Sequence, residues 1–140
     1  MENHKRTIEI TLGGAVDALI GLNKMLTGEF EAKDAHRIAR SIALLRAHPE
    51  VMATAQTRDK LIQRYSQNGR VTDIDSLNAN YSPIAGEKIN LEIVTIPIAV
   101  LESAPKMTPF EMLSLEQFWE YPKEEEKKES EEQKGVAHGA

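Results

Sequence analysis

Few side chains in this sequence have the type and spacing that chemistry requires. Its imidazoles are His4, His36, His48 and His138, and it has no cysteine among 140 residues. No histidine has a partner at metal-ligand spacing and no HExxH pair occurs, so a zinc centre lacks its ligands. Without cysteine, a thiolate zinc site and a disulfide framework are both excluded. None of the serines at 41, 66, 76, 82, 103, 114 and 130 stands in a GxSxG elbow. Asp73 and Asp75 resemble the opening of a calcium loop, but the glycine and closing glutamate are not at their offsets. Gly13-Gly14 has neither a third glycine nor the Lys-Ser/Thr of a phosphate-binding loop, and is read as a tight turn. The expectation is a non-enzymatic protein with no catalytic residue, no metal and no cofactor.

Two constellations suit non-covalent work. His36, Arg37 and Arg40 cluster on one helical segment, with Arg37 and Arg40 at a spacing that puts both on the face opposite Ile38 and Ile42. They form either a patch for an anion or acidic partner, or a solvated face paired with Glu29, Glu31 or Asp34. Met107, Phe110, Met112, Phe118 and Trp119 concentrate apolar bulk near the C-terminus. They read either as a helix closing the core or as a protein interface, where aromatics and methionine are enriched.

The charge balance restricts the partners. The formal net charge is −5, whereas nucleic-acid binders usually carry a basic bias. Nucleic acid is therefore an unlikely partner. The longest apolar-leaning run, Ile93 to Leu101, is too short to span a bilayer. With a polar N-terminus and no signal peptide in view, cytosolic synthesis without a membrane partner is expected.

The positioning elements follow from periodicity. Thr7 to Leu12 alternates with a period of two, which predicts a half-buried strand. From Ala15 the period becomes helical through Leu19, Leu22 and Leu26, ending at Gly28. A second helix is predicted from Ala32 to Ala47, with Ala35, Ala39 and Ala43 small enough for another helix to come close. Pro49 marks either a bend between two helices or a kink in one, and Asn68-Gly69 a stop. Residues 70–88 favour turns, although Ile74, Leu77 and Tyr81 could anchor a short helix. Ile89 to Ile93 and Val94 to Ile98 alternate in opposite phases, which predicts a β-bulge between them. Thr108-Pro109-Phe110-Glu111 is a capping box opening a short helix.

Residues 123–140 hold mostly Lys, Glu, Ser and Gln and are expected to stay disordered. The organisation expected is an N-terminal extension over 1–6, a single domain over 7–122 and a disordered charged tail over 123–140. The predicted fold class is α+β, a small two-stranded sheet packed on a helical hairpin or short bundle with a short C-terminal helix.

The order of these elements resembles a family of small uncharacterised proteins of tailed bacteriophages and prophages. The resemblance lies in Ile8 to Gly13, the leucine-rich helix, Ala35-His36-Arg37-Ile38-Ala39-Arg40, Arg58 to Tyr65, Ile89 to Ile93 and Pro97-Ile98. It covers most of residues 7–119 and departs from the family pattern at Pro49 and at Tyr81-Ser82-Pro83. It supplies no catalytic residues. It implies a structural or assembly protein of the virion head or tail, made in the host cytoplasm. Such a protein would work by contact with other phage proteins or with itself as a homo-oligomer. The alternative it implies is an accessory protein that inhibits a host factor or sequesters a small anionic ligand.

Overall fold

A computed structural model describes residues 4–122. The fold is α+β. Strand β1 (Lys5–Thr11) leads straight into helix α1 (Leu12–Met25), and α2 (Ala32–Arg46) and α3 (Pro49–Arg64) follow. A short hairpin, β2 (Ser66–Gln67) and β3 (Arg70–Val71), precedes α4 (Ile74–Ala85). Strand β4 (Lys88–Val94) passes into β5 (Ile96–Pro97), then come α5 (Pro109–Ser114) and β6 (Trp119–Glu120).

β1 and β4 pair antiparallel, with Ile8 opposite Leu91 and Ile10 opposite Ile89. Ile8, Ile10, Leu91 and Ile93 turn inward onto the helices, as period-two alternation requires. On the solvent face Lys5 lies 3.5 Å from Glu92, and Lys88 3.7 Å from Glu9. The expected extension over 1–6 is corrected here: Lys5 pairs with Val94 and Arg6 with Ile93, so both are strand residues.

α1 is the centre of the domain and contacts each of the other four helices and β1. It is apolar almost all round, the pattern of a helix with neighbours on most sides. Ala15, Ala18, Leu22 and Met25 have no exposed surface. Its start corrects the reading of Gly13-Gly14 as a turn, because both glycines lie in the first helical turn. Thr11 is the N-cap, and its hydroxyl accepts from the Gly14 N–H at 3.0 Å. The Leu12 N–H donates to the Glu87 carbonyl at 2.8 Å, so a donor left open by the helix is satisfied beside the sheet. Gly13 answers to packing: a Cβ there would stand 2.8 Å from the Ala85 Cβ and 3.2 Å from the Ala85 carbonyl oxygen.

Pro49 is the first residue of a separate helix, where its missing N–H has no partner to lose. Residues 70–88 hold a full helix, capped by Asp73, whose carboxylate accepts from the Ser76 N–H at 3.1 Å. Asn68 and Gly69 both have positive φ, 53° and 78°, the combination that closes a two-residue hairpin between β2 and β3.

No bulge separates Ile93 from Val94. The β1–β4 register continues unbroken to Lys5 opposite Val94, and at Thr95 the chain leaves β1. Ile96 then pairs in parallel with Trp119, and Pro97 with Glu120. The phase switch therefore marks a change of strand partner, and Ile93 to Ile96 are all buried because both faces are covered there. The expected disordered tail, 123–140, and His138 lie outside the described residues.

The Gly13–Ala85 contact gives a direct test. Gly13→Ala ordinarily gains helix propensity, but overpacking of a fixed contact costs about 1–3 kcal/mol. The variant is expected to lose about 1 kcal/mol in urea denaturation. A gain in stability would show that α4 yields to the added methyl.

Candidate functional site

The C-terminal apolar set divides into two populations. Phe118 has no exposed surface and Trp119 is 3% exposed, so both belong to the core. Met107 and Met112 are partly buried against it. Phe110 is 65% exposed and its neighbour one turn on, Leu113, is 67% exposed. A three-residue spacing puts both on one outward face of α5. Tyr121 and Ile74 are exposed to 60% and 55%, and Ile20, Leu26, Val71 and Ile84 to 37–43%, but none of these pairs with another on one face of a single short helix as Phe110 and Leu113 do.

α5 is fixed from beneath. The Thr108 hydroxyl accepts from the Glu111 N–H at 3.2 Å, and the Thr108 N–H donates to Glu111 Oε1 at 2.8 Å. Lys24 of α1 donates to the same Glu111 oxygen at 2.7 Å. The Lys24 hydrogen bond and then the Thr108 N–H hold the Glu111 carboxyl below its ordinary range. Beyond the helix, Leu115 is fully buried and lies against Gly21 of α1. Phe110 and Leu113 thus stand on a helix whose underside is bound at both ends.

The cluster predicted on α2 is divided between the surface and the interior. His36 and Arg40 are exposed. Arg37 turns inward, with a side chain 13% exposed. Its Nε donates to the Thr95 carbonyl at 2.7 Å, and its Nη2 donates to Thr95 Oγ1 at 3.0 Å and to Glu120 Oε2. The expected carboxylate partners Glu29, Glu31 and Asp34 are replaced by Glu120. Thr95 Oγ1 lies 2.9 Å from Glu120 Oε2 and 3.0 Å from the His4 carbonyl, and its one proton serves one of them at a time. His4 Nδ1 sits 3.4 Å from the same glutamate oxygen. One helical turn on, Ser41 accepts from the Val94 N–H at 3.0 Å and donates to the Val94 carbonyl. Arg37 and Ser41 together satisfy the backbone where β4 becomes β5. Burial raises the Glu120 carboxyl, but hydrogen bonds from Arg37 and Thr95, helped by the charges of Arg37 and His4, outweigh it and hold the group below its ordinary value.

A second polar grouping was not foreseen from sequence. Asp17 of α1, Arg58 of α3 and Tyr81 of α4 come together where three helices meet. Burial pushes the Asp17 carboxyl up, and the Arg58 charge offsets only part of the shift. Burial and then the Asp17 charge push the Tyr81 phenol up. The Tyr81 hydroxyl is buried and finds no hydrogen-bond partner among the described residues. A polar residue on each of three helices leaves no shared local pattern that could have announced the grouping.

Among the described residues no group of three or more His, Asp or Glu side chains is placed to hold a metal ion. Among them too, no helix is long and apolar enough to cross a membrane. No family model, curated protein or solved structure matches the chain.

Two pH responses of opposite sign follow. Glu120 has a lowered folded value, so its contribution is complete above the ordinary 4.5 and is lost as pH falls through the folded value. Glu120→Gln is expected to flatten the acid limb of a thermal-melt profile below about pH 4.5. An unchanged limb would remove Glu120 as its cause. Asp17 has a raised folded value, so stability falls as pH rises through the window between 3.8 and that value, and the ionised group remains a cost above it. Asp17→Asn is expected to stabilise the fold at pH 7, because it removes the charge that burial penalises. The gain should vanish near pH 3 in urea titrations, and equal gains at both pH values would contradict the assignment.

Proposed function

We propose that the chain is a non-enzymatic protein-contact module that uses the outward face of α5. The observation that carries this reading is the pair Phe110 and Leu113, 65% and 67% exposed on one face of an anchored helix. Covering an aromatic or leucine side chain that stands in water is worth about 1.5–3 kcal/mol. Rigid presentation reduces the ordering cost of a contact.

A structural or assembly role in a phage head or tail, with other phage proteins or a second copy as partner, is the setting proposed for this module. That setting rests on the sequence resemblance. The alternative is an accessory protein whose acidic surface inhibits a host factor, or whose His36, Arg37 and Arg40 hold a small anionic ligand; for the latter, Arg37 is already engaged with Glu120 and Thr95.

Phe110→Ser combined with Leu113→Ser removes the apolar face at exposed positions. Folding stability is expected to change by less than about 0.5 kcal/mol for each substitution. Complexes recovered by cross-linking and size exclusion from producing cells should be lost. A double variant that keeps every complex of the parent protein would defeat the reading. Mass spectrometry of purified particles tests the setting separately, and consistent absence of the chain would count against a virion role.

A further inference from the structure

A second surface lies on another side of α1. Its last turns and α2 enclose an open groove of about 540 Å³. Leu26 and Ile42 supply apolar depth, and Ala39, Ala43 and Ala47 form one side. These alanines recur every four residues, so they line the groove over about 12 Å of helix. Their short side chains let another backbone approach closely.

Arg46 lines the groove, and Arg40 follows the groove residue Ala39 on the same helix. α2 carries Lys33, Arg37, Arg40 and Arg46 against one acid, Asp34, in a chain whose formal net charge is −5. Arg37 is held by Glu120. Arg40 is exposed and makes no hydrogen bond or ion pair among the described residues. Arg46 reaches only the neutral Asn23 carbonyl oxygen, at 3.5 Å.

We infer that this groove docks an acidic amphipathic helix of a partner protein. The partner's apolar side chains at i, i+4 and i+7 would cover Leu26, Ile42 and the alanines, and its carboxylates would pair with Arg40 and Arg46. Nucleic acid would meet the arginines but leave the apolar floor uncovered, so the floor favours protein. A symmetric pairing of two copies through this face would bring the arginines of one copy beside those of the other with no carboxylate of the groove between them, which like charge opposes. The surface is independent of the α5 face.

The test uses the full chain and a synthetic peptide of about four turns, with leucines at i, i+4 and i+7 and glutamates at its flanks. A version with lysines for glutamates and a single-stranded oligonucleotide serve as comparators, all measured by fluorescence anisotropy. The glutamate peptide is expected to bind saturably and to shift the amide resonances of Ala39, Ala43 and Ala47. Arg40→Glu with Arg46→Glu should weaken it roughly tenfold or more, and added salt should weaken it further. Ala43→Trp, with its fold checked by circular dichroism, should block binding by filling the groove. Phe110→Ser with Leu113→Ser should leave binding unchanged, which separates this inference from the α5 reading.

Equal binding of both peptides, unshifted alanine amides or a preference for the oligonucleotide would each overturn the proposal. So would self-association that Ala43→Trp abolishes. Resonance changes at the alanines on replacing Glu124, Glu125 and Glu126 by Gln, without peptide, would assign the groove to the chain itself and also overturn it.

Discussion

The close approach of neighbours to α1 governs the rest of the domain. A helix contacted by four others must present little bulk at the points of nearest contact, and α1 does so at Gly13, Ala15, Ala18 and Gly21. At Gly13 the margin is smallest, because no Cβ fits beside Ala85 without movement. At Gly21 the missing side chain leaves room for Leu115, which carries α5 onto the core. With few aromatics available, the interior is filled mainly by aliphatic side chains, and short distances between backbones take the place of large rings.

The second constraint is polar and joins the ends of the described chain. Arg37 and Thr95 bind Glu120, while Thr95 also bonds the His4 backbone through its N–H at 2.8 Å. Arg6 donates to the carbonyls of Gln117 at 2.9 Å and Trp119 at 3.2 Å, so the first strand also grips the last turn. These bonds sit where β4 changes partner and the backbone lacks a regular ladder. Without them the buried polar groups of Val94 and Thr95 would be costly. The same bonds limit where α5 can lie, since the chain beyond it is tied to β1 and α2 and the helix itself to Lys24.

Legibility in the sequence followed the range of the interaction. Alternation located β1 and β4, helical stripes located α1 and α2, and the Thr108–Glu111 box located α5, because each is set by residues a few positions apart. The reading failed where one residue type serves two physical purposes. Gly13-Gly14 looks like a turn because glycine suits turns, yet Gly13 is required by contact with Ala85. α4 was obscured because Asn, Ser and Pro dominate it and Leu77 is its one buried residue. The partners Arg37 and Glu120 are 83 positions apart, and no local spacing could join them. The C-terminal apolar set could be found from sequence but not divided, since only the placement of α5 separates Phe118 from Phe110.

Both surfaces proposed for contact are built in part on the end of α1. Lys24 supports α5, while Asn23 and Leu26, at adjacent positions around the same helix, form part of the α2 groove. That end is itself held closely: a Cβ on Gly28 would stand 2.7 Å from the Ser103 carbonyl, so the chain leaving α1 lies directly on the segment leading to α5. Gly28 therefore reflects this approach, and the helix ends three residues earlier, at Met25. A short helix such as α5 has little stability of its own. It remains ordered through Glu111, which serves its own cap and Lys24 at once. Two surfaces of opposite character, one apolar and one cationic, are thus carried by a single buried helix.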